Sequence, residues 1–244
     1  MVWCRGSRVG ARSLCGLLVL AFVAGCSTAP DPPPAADESS VRPGINERFL
    51  SEDLDVDEWV ARFEVESREI FSERKRIVGS LGLAPGMTIA DVGAGTGLFL
   101  APFAEAVGAA GRVYAVEISP RFLEHLQERA RAEDLAIRIV KGTERSVELP
   151  EASVDLAFVC DVYHHFEYPT SSLASLRRAI RPGGTLVVID FHRIPGKSSD
   201  FVLKHVRAGQ DVFTAEIEQA GFELVEELAI DGLSENYALR FRRP

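Results

Sequence analysis

The chain has 244 residues, of which 46% are hydrophobic and 26% are charged, the balance of a folded globular protein. This balance excludes a disordered chain and a membrane protein with several spans. The 27 basic and 36 acidic residues give a formal net charge of −9, which argues against a long basic groove and so against nucleic acid as a partner. The four cysteines are too few for a disulfide scaffold.

Residues 1–25 have the pattern of an export signal. Three arginines precede an apolar run from Leu14 to Ala24, which is shorter than the ~20 residues of a membrane-spanning helix. The run ends in Val-Ala-Gly-Cys26, which resembles a bacterial lipoprotein box. The resemblance implies cleavage before Cys26 and lipidation of that residue, and Ser27 in the next position suggests sorting to the periplasmic face of the outer membrane. A plain secretory signal and a misassigned start codon are the alternatives.

The segment 26–44 is predicted to be a tether between this signal and a folded domain. It contains five prolines among serine, alanine and aspartate residues. Such a composition cannot bury enough apolar surface to fold, and it favours a semi-extended chain. The folded domain is therefore predicted over 45–244.

Within the domain, the hydrophobic pattern alternates between helices and strands. Apolar residues at helical spacing from Trp59 to Leu81 predict one or two helices. After a turn at Pro85 and Gly86, seven strands follow, most of them separated by helices. The predicted strands are 88–92, 112–117, 137–141, 155–160, 185–190, 222–228 and 237–241, and the predicted helices are 98–107, 120–132, 171–180 and 213–220.

This order predicts an α/β fold. Strands that alternate with helices indicate right-handed βαβ units and a mostly parallel sheet. The link between the last two strands, 229–236, is too short for a helical crossover. The final two strands are therefore expected to pair antiparallel.

A glycine-rich loop follows the first predicted strand, in the sequence Asp91-Val-Gly-Ala-Gly-Thr-Gly97. Glycines let the backbone approach a ligand, and the helix that follows offers free N–H groups to an anion. A dinucleotide fingerprint would have a small residue at position 98, where this chain has Leu98. A nicotinamide-dependent reductase is therefore disfavoured. Glu117, at the end of the second strand, is positioned to accept both hydroxyls of a ribose.

The glycine loop together with Glu117 resembles the class I S-adenosylmethionine-dependent methyltransferases. The likeness covers roughly residues 60–244 and includes Gly183-Gly184 before the fifth strand. It implies a Rossmann-like, doubly wound sheet of seven strands in the order 3-2-1-4-5-7-6, with the last strand antiparallel and S-adenosyl-L-methionine as cofactor. The residues that the resemblance places around this cofactor are Asp91, Gly93, Ala94, Gly95, Gly97, Glu117, Thr143, Glu144 and Asp161.

The end of the fourth strand is the expected catalytic region, because ligands of parallel α/β sheets bind at the carboxyl ends of strands. The candidate catalytic residues there are Asp161, Tyr163, His164 and His165. A neutral imidazole is a suitable general base near pH 7. The alternative is that one histidine packs under the next helix while the other is solvated.

No metal site is predicted. His164, His165 and Glu167 include typical metal-binding side chains. However, adjacent side chains point to opposite sides of an extended chain, so these histidines are not expected to share an ion.

A local basic cluster after the fifth strand is the expected acceptor site. His192, Arg193, His205 and Arg207 belong to it. Arginine binds carboxylate or phosphate groups in a bidentate manner, and the family resemblance places acceptor-binding residues between the fifth and sixth strands. A solvated helix face is the alternative.

The first predicted helix carries a further set of candidates. Glu64, Arg68, Phe71 and Arg74 share one face at helical spacing. By resemblance, this helix folds over the cofactor, so that Arg68 or Arg74 meets the methionine carboxylate and Phe71 closes the site. Surface ion pairing is the alternative.

Two classes of function follow from these observations. The first is a lipid-anchored methyltransferase that acts on a small-molecule or lipid-like acceptor and contacts the membrane through its N-terminal lipid. The second is a non-catalytic, membrane-tethered binding module on the same fold. A decayed site would be expected to lose one of Gly93, Gly95, Gly97 or Glu117, and all four are present. The sequence therefore favours the enzyme, although it does not identify the acceptor or the oligomeric state.

Overall fold

The computed structural model describes residues 1–3, 6 and 37–244. Most of the predicted signal peptide lies outside the described residues, and so does the predicted tether up to residue 36, which includes the predicted lipidation site Cys26. In the described part of the chain, no helix has the length and apolar character needed to span a membrane.

The described domain contains nine α-helices, a short 3-10 turn and seven strands. The helices are α1 (Glu47–Leu50), α2 (Val56–Phe63), α3 (Glu69–Ser72), α4 (Arg74–Ser80), α5 (Leu100–Val107), α6 (Pro120–Ala132), α7 (Pro169–Ala179), α8 (Asp200–His205) and α9 (Gln210–Gln219), and the 3-10 turn is Tyr163–His165. The strands are β1 (Thr88–Val92), β2 (Arg112–Glu117), β3 (Ile137–Lys141), β4 (Val154–Cys160), β5 (Ile180–Phe191), β6 (Glu223–Glu227) and β7 (Asn236–Arg242).

All seven strands form one sheet in the order β3-β2-β1-β4-β5-β7-β6. The pairs among β1 to β5 are parallel, whereas β7 is antiparallel to both β5 and β6. The predicted α/β fold, its strand order and the antiparallel final pair are confirmed. Strands β2 and β3 extend the sheet on one side of β1, and β4, β5, β7 and β6 extend it on the other side. The chain therefore changes direction across the sheet between β1 and β4, and the carboxyl ends of these two strands border the crevice where ligands of such sheets bind.

The core lies on both faces of the central strands. Every residue of β1 is buried, and so are five of the seven residues of β4. Strands that are covered by helices on both faces read as continuous apolar runs, which is why β1 and β4 were recognisable in the sequence. On one face, Phe99, Phe103 and Phe158 form a cluster with ring centroids 4.9–5.4 Å apart. This packing anchors the start of α5 directly behind the glycine loop.

The helical region predicted from Trp59 to Leu81 is broken into three short helices. The break follows Phe63, because Glu64 leaves the helical backbone with φ −103° and ψ 59°. The Glu64 carboxylate accepts hydrogen bonds from the Thr96 hydroxyl at 2.7 Å and from Arg129 at 2.6 Å. These contacts fasten α2 to the glycine loop and to α6, so Glu64 does not continue the helical face predicted through Arg74.

The fifth strand starts earlier than predicted. Ile180 already pairs with Val154, and the register is irregular before Thr185 pairs with Leu156. The glycine pair 183–184 lies in this irregular stretch. A Cβ on Gly184 would lie 2.7 Å from the Ile180 side chain and 2.8 and 2.9 Å from the carbonyl oxygens of Arg181 and Asp155. The glycines therefore shape the start of the strand and do not precede it.

The tether predicted over 26–44 is not free along its whole length. Glu38 accepts hydrogen bonds from the backbone N–H groups of Thr170 and Ser171, at the start of α7. The Ser40 hydroxyl and the Gly44 N–H both donate to Glu167. From Glu38 onward the chain is thus hydrogen-bonded to the domain, with Glu167 as a shared anchor.

Candidate active site

A cavity of about 720 Å³ opens at the carboxyl ends of the central strands. Its volume falls within the ~300–1,000 Å³ that is typical of small-molecule sites. Of the residues predicted around the cofactor, all except Gly97 line it. The lining continues through the end of β4 to the two adjacent histidines and to aromatic side chains of α1 and α2.

The glycine loop approaches the cavity through Gly93, Ala94 and Gly95. The N–H groups of Gly93 and Ala94 both donate to the Val116 carbonyl oxygen, at 2.8 and 3.1 Å. A Cβ on Gly93 would lie 2.5 Å from a Val162 methyl carbon, whereas a Cβ on Gly95 would meet no atom closer than 3.9 Å. Gly93 therefore serves the packing of the loop against Val162, which follows β4, and Gly95 leaves space open on the cavity side.

Gly97 has a different role from the one the resemblance implied. Its φ of +86° lies in the left-handed region, and a Cβ there would be 3.0 Å from the side chains of Leu100 and Leu126. Gly97 does not line the cavity. It lets α5 approach α6 closely, which is a contribution to packing.

Glu117 is buried at the end of β2 and faces the glycine loop. One carboxylate oxygen accepts from the Gly95 N–H at 2.8 Å, and the other accepts from the N–H groups of Ile118 and Ser119 at 2.7 and 2.9 Å. Burial raises the pKa of this carboxyl group, while the three backbone donors lower it. The backbone thus fixes both oxygens at the cavity wall, as an acceptor of ligand hydroxyls requires.

Asp91, at the end of β1, lies beside Glu117. Burial, followed by repulsion from Glu117, raises the pKa of Asp91 to about 8. Two acidic groups therefore face this end of the cavity, and a cationic ligand would favour the ionised form of Asp91.

Asp161 follows β4 with a φ of +53°, a strained conformation for a residue with a side chain. Its two carboxylate oxygens accept hydrogen bonds from Arg68 at 2.6 Å and from Asn236 at 2.5 Å. Burial raises the pKa of Asp161 to about 6, against the opposing effect of Arg68. Arg68 and Asp161 both line the cavity, so this ion pair forms part of its wall.

The other candidates from the first predicted helix lie elsewhere. Arg74 donates to the Phe71 carbonyl oxygen at 2.5 Å, and its guanidinium carbon is 4.1 Å from the centre of the Phe71 ring. Neither residue lines the cavity. Of the two arginines expected at the methionine carboxylate, the structure therefore brings only Arg68 to the cavity wall.

Three imidazole rings meet at the far end of the cavity: His164, His165 and His205, here called the histidine cluster. Their ring centroids are 4.4 to 5.1 Å apart, and Nε2 of His165 lies 3.3 Å from Nε2 of His205. The prediction that these residues are extended is wrong, because Tyr163–His165 forms a 3-10 turn. The turn places both adjacent histidines on the same side.

Asp190 orients His164. Nδ1 of His164 lies 2.9 Å from one carboxylate oxygen of Asp190 and 3.1 Å from the other, and the backbone N–H of His164 donates to the same carboxylate at 3.0 Å. Because a carboxylate accepts, Nδ1 carries a hydrogen, and Nε2 is the nitrogen whose lone pair is free in the neutral form of the ring. Asp190 was read in the sequence only as the last residue of a strand. Its pairing with His164 across two neighbouring strands was not visible there.

Asn46 orients His165 in a similar way. The Asn46 amide nitrogen donates to the His165 carbonyl oxygen at 3.1 Å, which leaves the amide oxygen to accept from Nδ1 of His165 at 3.2 Å. Burial lowers the pKa of His165 to about 2 and that of His205 to about 4, with repulsion from His164 adding to both effects. His165 and His205 are therefore neutral at pH 7.

The structure corrects the prediction for Tyr163 and Arg207. Tyr163 is fully buried, and its hydroxyl donates to Glu216 at 2.9 Å. Arg207 binds the same carboxylate in a bidentate manner at 2.7 and 2.6 Å. Both residues face α9 and do not line the cavity, so their polar atoms serve the packing of that helix.

The remaining candidates for acceptor binding, Arg193 and His192, also lie away from the cavity. Arg193 donates to the carbonyl oxygens of Leu203 and Val206, both at 2.9 Å, and so holds the end of α8. The His192 ring packs against Tyr237 with centroids 5.4 Å apart. Of the four basic residues predicted to bind the acceptor, only His205 lines the cavity.

Aromatic and cationic side chains form the wall opposite the strands. Trp59 packs between Phe49 and Phe63, each with centroids 4.9 Å away. The guanidinium groups of Arg48 and Arg62 lie 4.7 and 5.1 Å from the centre of the Trp59 ring. This wall suits an apolar or aromatic molecule. In the sequence, Trp59 and Phe63 were visible only as helix positions, since their shared surface depends on where α1 and α2 dock.

The fold and the site have the features that the resemblance to the class I S-adenosylmethionine-dependent methyltransferases implies. These are a seven-stranded sheet with its last strand reversed, a glycine loop after β1 and a buried acid at the end of β2. Residues 90–188 of the chain match the protein family described as "Methyltransferase domain".

Solved structures support the same fold. The chain is similar to a SAM dependent methyltransferase from Aquifex aeolicus, with a TM-score of 0.69 and 23% identity over 78% of this chain and 99% of that one. It is also similar to the [4+2]-cyclase SpnF, with a TM-score of 0.61 and 16% identity over 70% of this chain and 80% of that one. Because proteins described as having different activities share this architecture, the fold alone does not define the reaction.

Curated relatives match about half of the chain. One is described as an uncharacterized 37.1 kDa protein in transposon TN4556 of Streptomyces fradiae, 35% identical over 48% of this chain and 34% of its own length. Another is the ubiquinone/menaquinone biosynthesis C-methyltransferase UbiE of Bordetella avium, 26% identical over 48% of this chain and 46% of its own length. The match thus spans less than half of each relative. Together with the fold, the methyltransferase relatives imply S-adenosylmethionine as the cofactor.

Proposed function

We propose that this protein is an S-adenosylmethionine-dependent methyltransferase that acts on a small-molecule or lipid-like acceptor. One observation carries the proposal: a single cavity is lined at one end by the glycine loop and Glu117, and at the other by the histidine cluster and an aromatic wall. A methyl transfer needs this arrangement, because the two reactants must meet in line within one enclosed space.

The residues at the end of the cavity with the glycine loop and Glu117 fit the cofactor. Gly95 leaves open space where a side chain would otherwise enter the cavity, and Glu117 presents two fixed carboxylate oxygens to the ribose hydroxyls. Thr143 and Glu144 line the part of the wall that would flank the adenine. When bound, S-adenosylmethionine supplies a methyl group on a positively charged sulfur, and Asp91 and Asp161 offer negative charge to its cationic portion.

The residues of the second end fit an acceptor with an apolar body. The aromatic wall around Trp59 excludes water from the apolar body of the acceptor. His165 and His205 present neutral imidazoles to the reacting end of the acceptor. His164, with its Nδ1 hydrogen held by Asp190, is the ring best oriented to receive the proton that the acceptor loses. The histidine cluster is therefore the proposed place of proton removal, and Asp190 is a positioning residue.

Lipid anchoring in the bacterial cell envelope is a separate part of the proposal. It is supported by the lipoprotein box at Cys26 and by the proline-rich segment that follows. Mass spectrometry of the wild-type N-terminus should show a lipid-modified Cys26, and Cys26→Ser should leave the chain unacylated. An unmodified Met1 in a soluble fraction would overturn the anchoring proposal without touching the enzymatic one.

The enzymatic proposal is tested in two stages. Calorimetry of the purified chain should show binding of S-adenosylmethionine, and Glu117→Ala should weaken it, with the exposed α6 residue Glu124→Ala as matched control. Cell-envelope extracts incubated with methyl-labelled cofactor should then yield a labelled product. Cofactor binding without transfer to any extract would favour the non-catalytic binding module, and absence of binding would refute both functions.

A further inference from the structure

We propose that His164, His165 and His205 form a binding site for a divalent transition metal at the acceptor end of the cavity. Each of the three residues offers one ring nitrogen, and these three nitrogens all lie within 4.8 Å of one another. All three residues line the cavity. They come from two separate segments of the chain, so the sequence alone did not show this site.

The distances fit tetrahedral coordination. Two imidazole nitrogens, each ~2.0–2.1 Å from a tetrahedral Zn²⁺, are about 3.3–3.4 Å apart. Nε2 of His165 and Nε2 of His205 are 3.3 Å apart. The spacing required of two ligands is therefore already present, and the His164 nitrogen has to approach them by no more than ~1.5 Å to complete a three-histidine set.

The surrounding hydrogen bonds prepare two of the rings as ligands. Nδ1 of His164 donates to Asp190, and Nδ1 of His165 donates to the amide oxygen of Asn46. Each bond fixes the tautomer in which Nε2 carries a lone pair, which is how metal-binding histidines are oriented in other proteins. The lone pair of His165 points at His205, so either a cation or an N–H of His205 must lie between the two nitrogens.

The composition of the site selects the kind of metal. Its ligand atoms are imidazole nitrogens without carboxylate oxygens, which favours Zn²⁺ and related transition metals over Mg²⁺ or Ca²⁺. Three protein ligands leave a fourth position that faces the cavity, as in catalytic zinc sites. A ring nitrogen bound to the metal cannot accept a proton, so a bound metal would replace His164 as the means of proton removal. An acceptor oxygen or sulfur atom bound at the fourth position would then release its proton to water before the methyl transfer. This consequence rests on the proposed function, whereas metal binding itself does not.

The experiment uses the full chain without a histidine tag, stripped with a chelator and titrated with Zn²⁺ against a chromogenic chelator. One Zn²⁺ per chain is expected. The variants His165→Ala and His205→Ala should weaken binding at least tenfold, while His125→Gln, on α6 and outside the cavity, should bind as the wild type does. Replacement of Zn²⁺ by Co²⁺ should give the visible absorption of tetrahedral cobalt, which a merely adventitious surface ion would not give.

The outcomes separate the metal site from the proposed reaction. His205 is half-buried on a short helix, so His205→Ala should stay folded and should retain its affinity for S-adenosylmethionine, measured by calorimetry. Equal Zn²⁺ affinity in wild type and His205→Ala, or no binding by a folded wild type, would overturn the metal site and would leave a His205 N–H bond to His165 as the explanation of the short contact. Loss of cofactor binding in the wild type would instead refute the proposed function.

Discussion

The two ends of the cavity are built in different ways. The cofactor end is formed by the contiguous run from Asp91 to Gly95 and by Glu117, which follows it on the neighbouring strand. The histidine end is assembled from distant segments, since Asn46 and His165 are 119 residues apart in the chain. A ligand site made from one strand–loop–helix unit leaves a readable motif, whereas a site assembled by packing leaves scattered residues without a pattern.

The two ends also differ in charge and in how their polar groups are held. At the cofactor end, backbone N–H groups fix the buried carboxylate of Glu117. At the histidine end, side chains fix other side chains through Asp190 and Asn46. We therefore expect substitutions at the first end to change cofactor affinity and those at the second end to change the rate of transfer.

The largest expected effect tests the histidine end. His164→Gln should lower the rate of methyl transfer by ~10²–10⁴-fold, the contribution of a positioned acid–base group, and Asp190→Asn should lower it in the same direction by disturbing the tautomer. Cofactor affinity by calorimetry should change less than about threefold, because neither residue contacts Glu117 or the glycine loop. A full transfer rate in both variants would show that His164 is not the group that removes the proton.

The second effect separates two glycines of the same loop. Gly93→Ala should lower the free energy of unfolding by about 2–4 kcal/mol, because its Cβ would clash with Val162 at 2.5 Å and would occupy the left-handed region at φ +74°. Gly95→Ala should cost only the ~1–2 kcal/mol of its own positive φ while placing a methyl group in the cavity. Denaturant unfolding and cofactor calorimetry on both variants measure the difference.

The pattern expected is a stability loss for the first glycine and an affinity loss for the second. Equal effects of the two substitutions on both measurements would show that the cavity side of Gly95 is not the binding surface.

Glu117→Ala is expected to weaken cofactor binding by ~1.5–3 kcal/mol, the range for a hydrogen bond to a charged group. Both oxygens of Glu117 are held at the wall of the cavity by backbone donors, so the loss should appear in affinity and not in the rate at saturating cofactor. Glu124→Ala is the control. A change below ~0.3 kcal/mol would mean that the ribose is bound by other groups.

The last effect is a gradual dependence of stability on pH in the ligand-free protein. The pKa of Asp91 is raised from 3.8 to about 8, so between these values the folded state binds a proton that the unfolded state has released. Stability should therefore fall as the pH rises from about 4 to about 8, by at most ~1.4 kcal/mol per pH unit for this group. Asp91→Asn should reduce this dependence of stability on pH. A part of the dependence should remain, because the pKa of Asp161 is also raised, to about 6.

Denaturant unfolding at pH 5 and pH 8 measures this slope, with the exposed Asp231→Asn as control. An identical slope in wild type and Asp91→Asn would show that Asp91 is ionised in the folded protein despite its burial.

The sequence alone determined the sheet and the cofactor end. The sequence leaves few possible orders for the strands, because a parallel sheet with right-handed crossovers restricts how strands can be connected. The restriction applies here through the buried runs of β1, β2 and β4 and the short link before β7. The glycine loop was readable because its left-handed backbone at Gly93 and Gly95 requires glycine, and the strand that precedes it fixes where it lies.

Only the tertiary structure decided the histidine end. The 3-10 turn after β4 brings His164 and His165 to the same side, and the docking of α8 adds His205. The same docking turns Arg193 and Arg207 toward carbonyl and carboxylate groups of the protein and away from any acceptor. No local spacing encodes these outcomes, because side-chain partners across separate elements are selected by burial and by the need to satisfy every buried polar atom.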